Sequence, residues 1–328
     1  MSISSALQPT GRREHSERTL TSPRHQGLYS SVPRQKASPG QLLRRARPSD
    51  VLLSDWRRIG ADHFALTVSW PDSHPFHTPV HGRHAPSLIA ETNRQAARLI
   101  AHAEFDAPLD HHFLMRDLNY TIDPDQALVR ADGPPLLLHL TCSEVRRQGP
   151  RLNRMTCHTV ITRGGRTVAT GHGSLTCTSP AAYGRLRGGR LATPPASPLP
   201  APVPPAAVGR VSPADVVLSP TRDPLRWILR ADPANPSLFA RPNDHVPGMA
   251  LLEAVHQAAR ATTGPRAFYP TALSLGFDRY AELDAPCLIE AHPAPGEEPG
   301  TVALHVTGHQ DGHRVFRASL TGITGASV

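Results

Sequence analysis

The sequence predicts an α+β protein built from two copies of one unit, each with a long helix packed against several antiparallel strands. Three observations support this prediction. Segments 88–98 and 250–260 share the pattern Glu-x-x-x-Gln-x-x-Arg, β-prone runs surround both segments, and a proline-rich stretch separates them. The chain has 328 residues, which is enough for two domains of ordinary size.

The repeat extends beyond the two helical segments. A constant offset of 162 residues pairs Glu91 with Glu253, Gln95 with Gln257 and Arg98 with Arg260. Two weaker matches keep the same order along the chain: 116–125 with 277–286, aligned on Tyr120 and Tyr280, and 165–176 with 313–324. Three matches in one order are unlikely by chance, so we expect two copies of one fold.

The predicted helices and strands differ in their periodicity. Apolar or small residues recur at steps of three or four, as on the buried side of a helix: Leu88, Thr92, Ala96, Leu99 and Ala103 in the first copy, and Leu251 or Leu252, Val255, Ala259 and Thr262 in the second. Alternating apolar and polar residues, typical of half-buried antiparallel strands, occur in several runs: 64–70, 136–147, 154–163, 271–280, 287–291 and 302–308.

Composition divides the chain into four segments: a basic tail at 1–48, expected to be disordered; a first repeat at 49–182; a proline-rich linker at 183–210; and a second repeat at 211–328. The tail holds nine Lys or Arg against two acids, so it carries most of the net charge of +8. The folded part is therefore close to neutral, and we expect no nucleic-acid-binding face on it. The run at 194–205 has seven prolines in twelve positions, which excludes a helix or a central strand.

Several classes of protein are not expected. No apolar run approaches the length of a membrane span, and the sequence does not open with a secretory signal pattern. The four cysteines are scattered without a Cys-x-x-Cys pair, which favours reduced thiols over a disulfide framework or a zinc site. These features indicate a cytoplasmic protein that does not associate with a membrane.

Glu91 and Glu253 are the first candidates for catalysis. Each lies among the apolar neighbours of a helix that a sheet should cover, where a carboxylate is costly unless it is paired or functional. Three residues later the first copy has Arg94 and the second has His256, both on the side of the acid. A Glu253–His256 pair could act as a general acid and base, although a structural role for either residue remains open.

The approach to the second helix, 241–253, offers a binding site for negative charge. Asp244 or Asn243 can cap the helix, and Gly248 allows a ligand to approach the backbone closely. The free amides at this helix start, near Gly248 and Met249, could hold an oxyanion or a thioester carbonyl oxygen.

Four histidines precede the first helix: His74, His77, His81 and His84. Prolines and a glycine interrupt this stretch, so the histidines do not share one face of a helix. Without cysteines or a fixed scaffold nearby, the pattern is weak evidence for a metal site. An active-site lining, a structural role and a metal site all remain open for His74 and His77.

The segments "DHVPGMALLEAVHQAAR", "WPDSHPFHTPVHGRHAPSLIAETNRQA", "HAEF" and "FLMRDLNYTI" together resemble the A-factor biosynthesis family, the γ-butyrolactone synthases of Streptomyces-like bacteria. The resemblance covers about residues 50–328, apart from the proline spacer. It implies a tandem hotdog fold, in which each long helix is wrapped by its own antiparallel sheet. It also implies transfer of a β-ketoacyl group from acyl carrier protein to a hydroxyl of dihydroxyacetone phosphate.

By position, the resemblance places the functional acids of the family at Glu91 and Glu253. The family often has Arg where this chain has His256, which leaves the phosphate-binding residue open. In hotdog dehydratases a catalytic His stands 14 residues before the helix acid. His77 holds that place before Glu91, whereas the second copy has Phe239 there.

The resulting hypothesis assigns each candidate a role. Glu253, assisted by His256, deprotonates the acceptor hydroxyl, and amides near Gly248 and Met249 stabilise the oxyanion. Arg94 holds the phosphate of the small-molecule acceptor. The remaining candidates are Glu91 as a second catalytic acid, and Gln95, Gln257 and His77 as substrate-binding residues. Acyl transfer from a thioester requires neither a metal nor an organic cofactor, so none is expected.

Two alternatives remain open. A hotdog dehydratase or thioesterase would use His77, and a non-catalytic double hotdog would bind an acyl ligand and regulate another protein. A pseudo-dimeric double hotdog could be monomeric in solution.

Overall fold

The computed structural model describes residues 37–324 except 46, 72, 131, 193–197 and 265–267. The first copy contains β1 (Leu53–Arg58), β2 (His63–Val68), α2 (Pro86–Glu104), β3 (His112–Met115), β4 (Asp117–Ile122), β5 (Leu136–Gln148), β6 (Arg151–Arg163) and β7 (Arg166–Thr178), preceded by α1 (Pro39–Leu43). After α3 (Pro180–Arg187), the second copy contains β8 (Leu218–Pro220), β9 (Arg226–Leu229), α4 (Gly248–Thr263), β10 (Phe268–Phe277), β11 (Leu288–Pro295), β12 (Thr301–Gln310) and β13 (His313–Thr324).

The thirteen strands of the described residues form one antiparallel sheet in the order β1-β2-β5-β6-β7-β4-β10-β13-β12-β11-β9-β8, with β3 also paired to β7. The two copies meet where β4 pairs with β10. Leu118 lies opposite Leu275 there, and Tyr120 lies opposite Leu273. This is the continuous sheet that a tandem hotdog requires.

The sheet covers α2 and α4 so completely that both helices are buried on more than one face. The predicted apolar positions are buried, except that Ala103 and Thr262 are only partly covered. Polar residues of the same helices are buried too, among them Glu91, Gln95, Glu253 and Gln257. The fold therefore places two charged groups in its core, and their partners decide whether that is tolerable.

The structure differs from the predicted segment boundaries. Residues 37–48 of the predicted disordered tail include α1, whose N-cap Ser38 and Gln41 form a capping box; residues 1–36 lie outside the described residues. The predicted linker at 183–210 is also partly packed. Tyr183, Arg187, Val203 and Val208 are buried, and the Val203 amide donates to the Leu218 carbonyl.

One element of the predicted repeat is wrong. Tyr120 lies inside β4, whereas Tyr280 follows the end of β10 in an irregular segment, so the two tyrosines are not equivalent. The match of 165–176 with 313–324 is confirmed, because both segments belong to the last strand of their copy. No helix among the described residues is long and apolar enough to cross a membrane.

Candidate active site

Glu91 lies in the second turn of α2, and three largely buried polar side chains contact its carboxylate. Arg94 donates hydrogen bonds from Nε and Nη2 to the two carboxylate oxygens, at 2.7 and 2.8 Å. Gln95 donates another at 2.9 Å, and Arg45, just after α1, forms an ion pair with Oε1. Glu91 thus occupies the Arg94 fork that the sequence-based hypothesis assigned to the acceptor phosphate.

The pKa of Glu91 is held well below its ordinary value. Burial alone would raise it, but the charges of Arg94 and Arg45 and the hydrogen bonds from Arg94 and Gln95 outweigh burial. Burial alone would lower the pKa of Arg94, but the attraction to Glu91 outweighs it and raises this pKa above its ordinary value. Because its ionised form is so well stabilised, Glu91 is a weak proton acceptor and a poor general base.

Glu253 holds the equivalent place in α4 with fewer partners. Arg210 donates from Nε to Oε1 at 2.9 Å, and Gln257 donates to the same oxygen at 2.6 Å. Oε2 lies 2.5 Å from Nη2 of Arg210 but accepts no hydrogen bond of normal geometry among the described residues. One arginine therefore balances Glu253, where two balance Glu91.

Gln95 and Gln257 each connect their helix to the segment just before the first strand of the same copy. Each side chain accepts a hydrogen bond from one backbone amide and donates to one backbone carbonyl, at 2.7 to 2.9 Å: Leu52 and Asp50 for Gln95, Val217 and Asp215 for Gln257. Both glutamines are fully buried. This geometry supports a structural role for them in place of the predicted contact with substrate.

Arg45 and Arg210 were not predicted as site residues, because their segments were assigned to a disordered tail and to a linker. A repeated pattern could have found them. Segments 45–53, "RARPSDVLL", and 210–218, "RVSPADVVL", share Arg-x-x-Pro-x-Asp-Val-x-Leu. The repeat thus begins before the first strand of each copy, and its first residue is the arginine that binds the helix glutamate.

The predicted Glu253–His256 couple is wrong. Among the described contacts, His256 has no hydrogen bond or ion pair with Glu253; its Nε2 lies 2.8 Å from the hydroxyl of Tyr120 in the first copy. Burial, followed by the charges of Arg210 and Arg260, lowers the pKa of His256 to about 3. His256 is therefore a neutral residue that joins the two copies.

The four histidines before α2 have separate surroundings. His74 Nε2 lies 3.2 Å from Asp50 Oδ1, and His74 Nδ1 accepts the backbone amides of Phe76 and His77. His77 Nδ1 lies 2.9 Å from the Ser87 hydroxyl. His84 packs on Trp70, and His81 is exposed. Within the described part of the chain, no three His, Cys, Asp or Glu side chains form a group suited to a metal ion.

A cavity of about 20 Å³ lies between the two copies, with His77, Glu91, Met249 and Glu253 among its lining residues. That volume is enough for about one water molecule and too small for an acyl chain. Burial, followed by the charge of His74, lowers the pKa of His77 to about 3, so this histidine is neutral. This geometry does not support a dehydratase site at His77.

A second cavity, of about 1240 Å³, opens on the other side of Glu91. Its wall combines residues of both copies, including Glu91 and Arg94 of α2 and Gly248 and Met249 at the start of α4. The α4 start has no side-chain cap, and the amides of Gly248 and Met249 have no acceptor among the described residues. The start of α2 differs, because Pro86 takes the place of Gly248 and has no N–H.

The predicted capping role of Asp244 is wrong, because the N-cap of α4 is Pro247. Asp244 instead forms an ion pair with Arg187 at 2.6 Å and accepts the Tyr183 hydroxyl at 2.7 Å. Its Oδ1 also lies 3.0 Å from Nδ1 of His245. Because an ionised carboxylate can only accept, we assign the proton of His245 to Nδ1, which leaves Nε2 as a hydrogen-bond acceptor. His245 lines the large cavity.

Comparison with known proteins identifies the family. The A-factor biosynthesis hotdog domain matches residues 31–179 and 191–325. A 2-oxo-3-(phosphooxy)propyl 3-oxoalkanoate synthase from Streptomyces virginiae is 46% identical over 300 residues, which are 92% of this chain and 100% of the relative. Relatives with the same name are 46% identical in Streptomyces coelicolor, over 87% of this chain and 91% of theirs, and 40% identical in Streptomyces griseus, over 86% and 94%.

A solved structure, the 12:0-ACP thioesterase from Umbellularia californica, aligns with a TM-score of 0.48 at 12% identity, over 82% of this chain and 100% of that one. The two family matches coincide with the two copies seen in the sheet. The chain therefore belongs to the A-factor biosynthesis hotdog domain family and carries the domain twice.

Proposed function

We propose that this protein transfers a β-ketoacyl group from a thioester on acyl carrier protein to a hydroxyl of dihydroxyacetone phosphate, as a step in making a γ-butyrolactone-type signalling molecule. The relatives support the reaction, because a 2-oxo-3-(phosphooxy)propyl 3-oxoalkanoate is the ester of those two reactants. They match the chain over most of its length at 40% to 46% identity.

One observation in the structure carries this proposal. Unpaired helix-start amides and a carboxylate–histidine pair line the same large cavity. Acyl transfer needs donors for the oxyanion that develops on the thioester carbonyl, and a proton acceptor for the attacking hydroxyl. The amides of Gly248 and Met249 provide the first and Nε2 of His245 provides the second.

The proposed reaction passes through a tetrahedral intermediate. His245 Nε2 takes the proton of the acceptor hydroxyl as the oxygen bonds to the thioester carbon. The amides of Gly248 and Met249 bind the carbonyl oxygen as it becomes negative. The carbon–sulfur bond breaks when the tetrahedral intermediate collapses, and His245 returns the proton to the departing sulfur. Asp244 holds the imidazole in the required tautomer and stabilises its charged form.

In this mechanism Glu91 and Glu253 have positioning roles. Glu91 holds Arg45 and Arg94 at the cavity wall. Glu253 lies one helical turn after Met249 on α4 and forms an ion pair with Arg210. Arg210 also donates to the carbonyl of Phe76, so Glu253 links the α4 start to the loop of the first copy. Loss of either acid would disturb the site without removing a group that exchanges protons with substrate.

The hairpin of β5 and β6 is the surface that we propose for acyl carrier protein, whose surface is acidic. Arg146 lies directly opposite Arg154 across the two strands, and Arg147 and Arg151 are exposed beside them. Like charges directly opposite one another destabilise a sheet. None of these arginines has a carboxylate partner in the described structure. Arg154 also pairs with Thr176, which lines the large cavity.

The substitution Arg146→Glu tests this surface. It would place a carboxylate opposite Arg154 and leave the fold at least as stable, but it should raise KM for a carrier-bound substrate. KM for the same acyl group on a small thiol should not change. Arg166→Glu, at an exposed arginine on the opposite end of β6 and β7, is the matched control. Equal effects on both substrates would contradict docking at the hairpin.

The activity itself is tested by mass spectrometry of the protein incubated with a β-ketoacyl thioester and dihydroxyacetone phosphate. A new phosphorylated ester that requires both reactants, and that His245→Gln forms slowly, would support the proposal. Free acid or an enoyl thioester would assign the protein to the thioesterase or dehydratase class. Binding of the thioester without turnover would indicate a non-catalytic acyl-binding protein.

We also propose a cytoplasmic location, where acyl carrier protein and phosphorylated sugars occur together. The four cysteines are free and buried, which agrees with a reducing compartment.

A further inference from the structure

Five of the arginines that line the large cavity form no ion pair with a carboxylate among the described residues, and Arg98 and Arg241 are two of them. Arg98 lies on α2, one turn after Arg94, and Arg241 lies in the loop before α4. Nε of Arg98 is buried without an acceptor, and the guanidinium rests 5.6 Å from the ring centroid of Phe113. Among the described contacts, Arg241 has no hydrogen bond or ion pair and is exposed at the rim.

Four of the seven carboxylates that line this cavity are already bound to other arginines. Glu91 is bound to Arg45 and Arg94, while Asp244 and Glu282 share Arg187. Asp278 is bound by Arg314 and Arg317. The other three carboxylates, Asp110, Asp117 and Asp311, form no ion pair with Arg98 or Arg241 in the described structure. An arginine charge without a partner is costly in a partly buried wall unless an anion binds.

Burial and neighbouring arginines disfavour the charged form of both side chains. Burial, then the charges of Arg94, Arg241 and Arg45, lowers the pKa of Arg98 to about 9. Burial, then the charges of Arg44, Arg45 and Arg94, lowers the pKa of Arg241. An arginine is normally charged at any pH used for proteins, so this direction indicates strain that a bound dianion would relieve.

The second copy provides an internal comparison. Arg260 is the repeat equivalent of Arg98, and one of its guanidinium nitrogens is also buried without a partner. Arg260 packs against Gly209, where a side chain on residue 209 would collide with it, and it lines neither of the two cavities. The same residue type is thus enclosed in the second copy and opens onto a large volume in the first.

We propose that Arg98 and Arg241, one from each copy, form the subsite for the phosphate monoester of the acceptor. This inference rests on the proposed function for the identity of the acceptor. Two guanidinium groups match a phosphate dianion in charge, and each can donate two parallel hydrogen bonds to its oxygens. The subsite replaces Arg94, whose fork is occupied by Glu91, and it explains how the protein binds phosphate with His256 in α4.

Calorimetric titration with inorganic phosphate and with dihydroxyacetone phosphate tests the subsite directly. Arg98→Gln and Arg241→Gln should each weaken binding of both ligands by about tenfold or more. Arg260→Gln is the matched control and should leave both affinities unchanged. Arg98→Gln should also raise Tm in phosphate-free buffer, because it removes an unpaired buried charge. Unchanged affinity in both cavity variants would overturn the inference.

Kinetics separates this inference from the proposed function. In Arg98→Gln and Arg241→Gln, KM for dihydroxyacetone phosphate should rise by about tenfold, whereas KM for the thioester stays the same. Dihydroxyacetone, which lacks the phosphate, should be an equally poor acceptor for wild type and variants. If ester forms and these variants keep the wild-type KM, the subsite is wrong and the function stands. If no ester forms but phosphate binding depends on both arginines, the function is wrong and the subsite stands.

Discussion

The two copies place the same residues in a helix but give them different surroundings. In the first copy Glu91, Arg94 and Arg98 lie beside a cavity of about 1240 Å³, formed with the start of α4. In the second copy Glu253 adjoins a cavity of about 20 Å³, and His256 and Arg260 line neither cavity. A duplicated chain can therefore keep one open site, while the equivalent residues of the other copy hold the two copies together.

The difference follows from a few residues at equivalent positions. Gly248 at the start of α4 corresponds to Pro86 of α2, and His256 corresponds to Arg94. The glycine leaves an amide free, whereas the proline has none. The histidine is neutral, lies within hydrogen-bond distance of Tyr120 and lines neither cavity, whereas Arg94 lines the large one. Both differences favour the large cavity as the polar site, because its lining has Arg94 and Gly248 where the equivalent positions are His256 and Pro86.

The largest effect should come from His245, which belongs to the second copy and is the proposed proton acceptor in the open site. Replacement by Gln removes the proton acceptor, and kcat should fall by about 10²- to 10⁴-fold while KM for the thioester changes little. Steady-state kinetics measures the change, and His305→Gln on β12 is a control remote from the cavity. A variant that retains the wild-type kcat would rule out His245 as the base.

Removal of either helix glutamate should destabilise the protein, but only one loss should be rescued by an anion. Glu91→Gln and Glu253→Gln each leave buried arginine charge uncompensated, which typically lowers the free energy of unfolding by about 3–5 kcal/mol. Urea unfolding with and without inorganic phosphate measures both. Phosphate can reach Arg45 and Arg94 through the large cavity, so it should stabilise Glu91→Gln by more than it stabilises the wild type through Arg98 and Arg241. Glu253→Gln should gain no more from phosphate than the wild type does, and a larger gain would show that the second site is open.

The start of α4 can be converted to that of α2 by Gly248→Pro. Proline is compatible with the first turn of a helix, so the fold should be retained while one oxyanion donor is lost. We expect kcat to fall by about 10²- to 10³-fold. Gly248→Ala is the control, because it adds the same first carbon, 2.8 Å from the flexible end of Met115, and keeps the N–H. Equal losses in the two variants would indicate crowding in place of a missing donor.

The last effect concerns acid stability and is absent at neutral pH. The folded-state pKa of His256 is lowered to about 3, below the ordinary value of 6.5, so the unfolded chain binds the proton more tightly. Stability from this group is complete above pH 6.5 and should fall by up to about 1.4 kcal/mol per pH unit as the pH drops toward 3. Urea unfolding of His256→Asn should show a shallower loss over this range. The same slope in wild type and variant would contradict a neutral buried His256.

Much of the fold could be predicted because the repeat and its periodicity are local. The spacing of Leu88, Thr92, Ala96 and Leu99 defines a buried helix side, and alternation defines most of the long strands. The boundaries were harder to predict, since a proline-rich or arginine-rich composition says nothing about long-range partners. Val203 is buried because it pairs with Leu218, and Arg45 is ordered because it meets Glu91.

The sequence predicts several individual residues of the candidate site but not which side chains contact one another. Glu91, Glu253, Gly248 and Met249 are predicted as site residues from their places on the two helices, and their roles stay predictions. The pairing of Glu253 with His256 was wrong because helical spacing shows which side chains are neighbours and not which direction they take. His256 instead reaches Tyr120, 136 residues away along the chain. Asp244 was assigned to a cap by its place before a helix, but α3 provides Arg187 and Tyr183 as stronger partners.

By itself the sequence determined that this protein has two copies of one α+β unit, each with a charged residue in its buried helix, because periodicity and repeats are properties of the chain. Only the tertiary structure decided which copy has the open site. That choice depends on where the α4 start, Arg241 and His245 of the second copy meet α2 of the first, and such distances are set by packing across the β4–β10 pair.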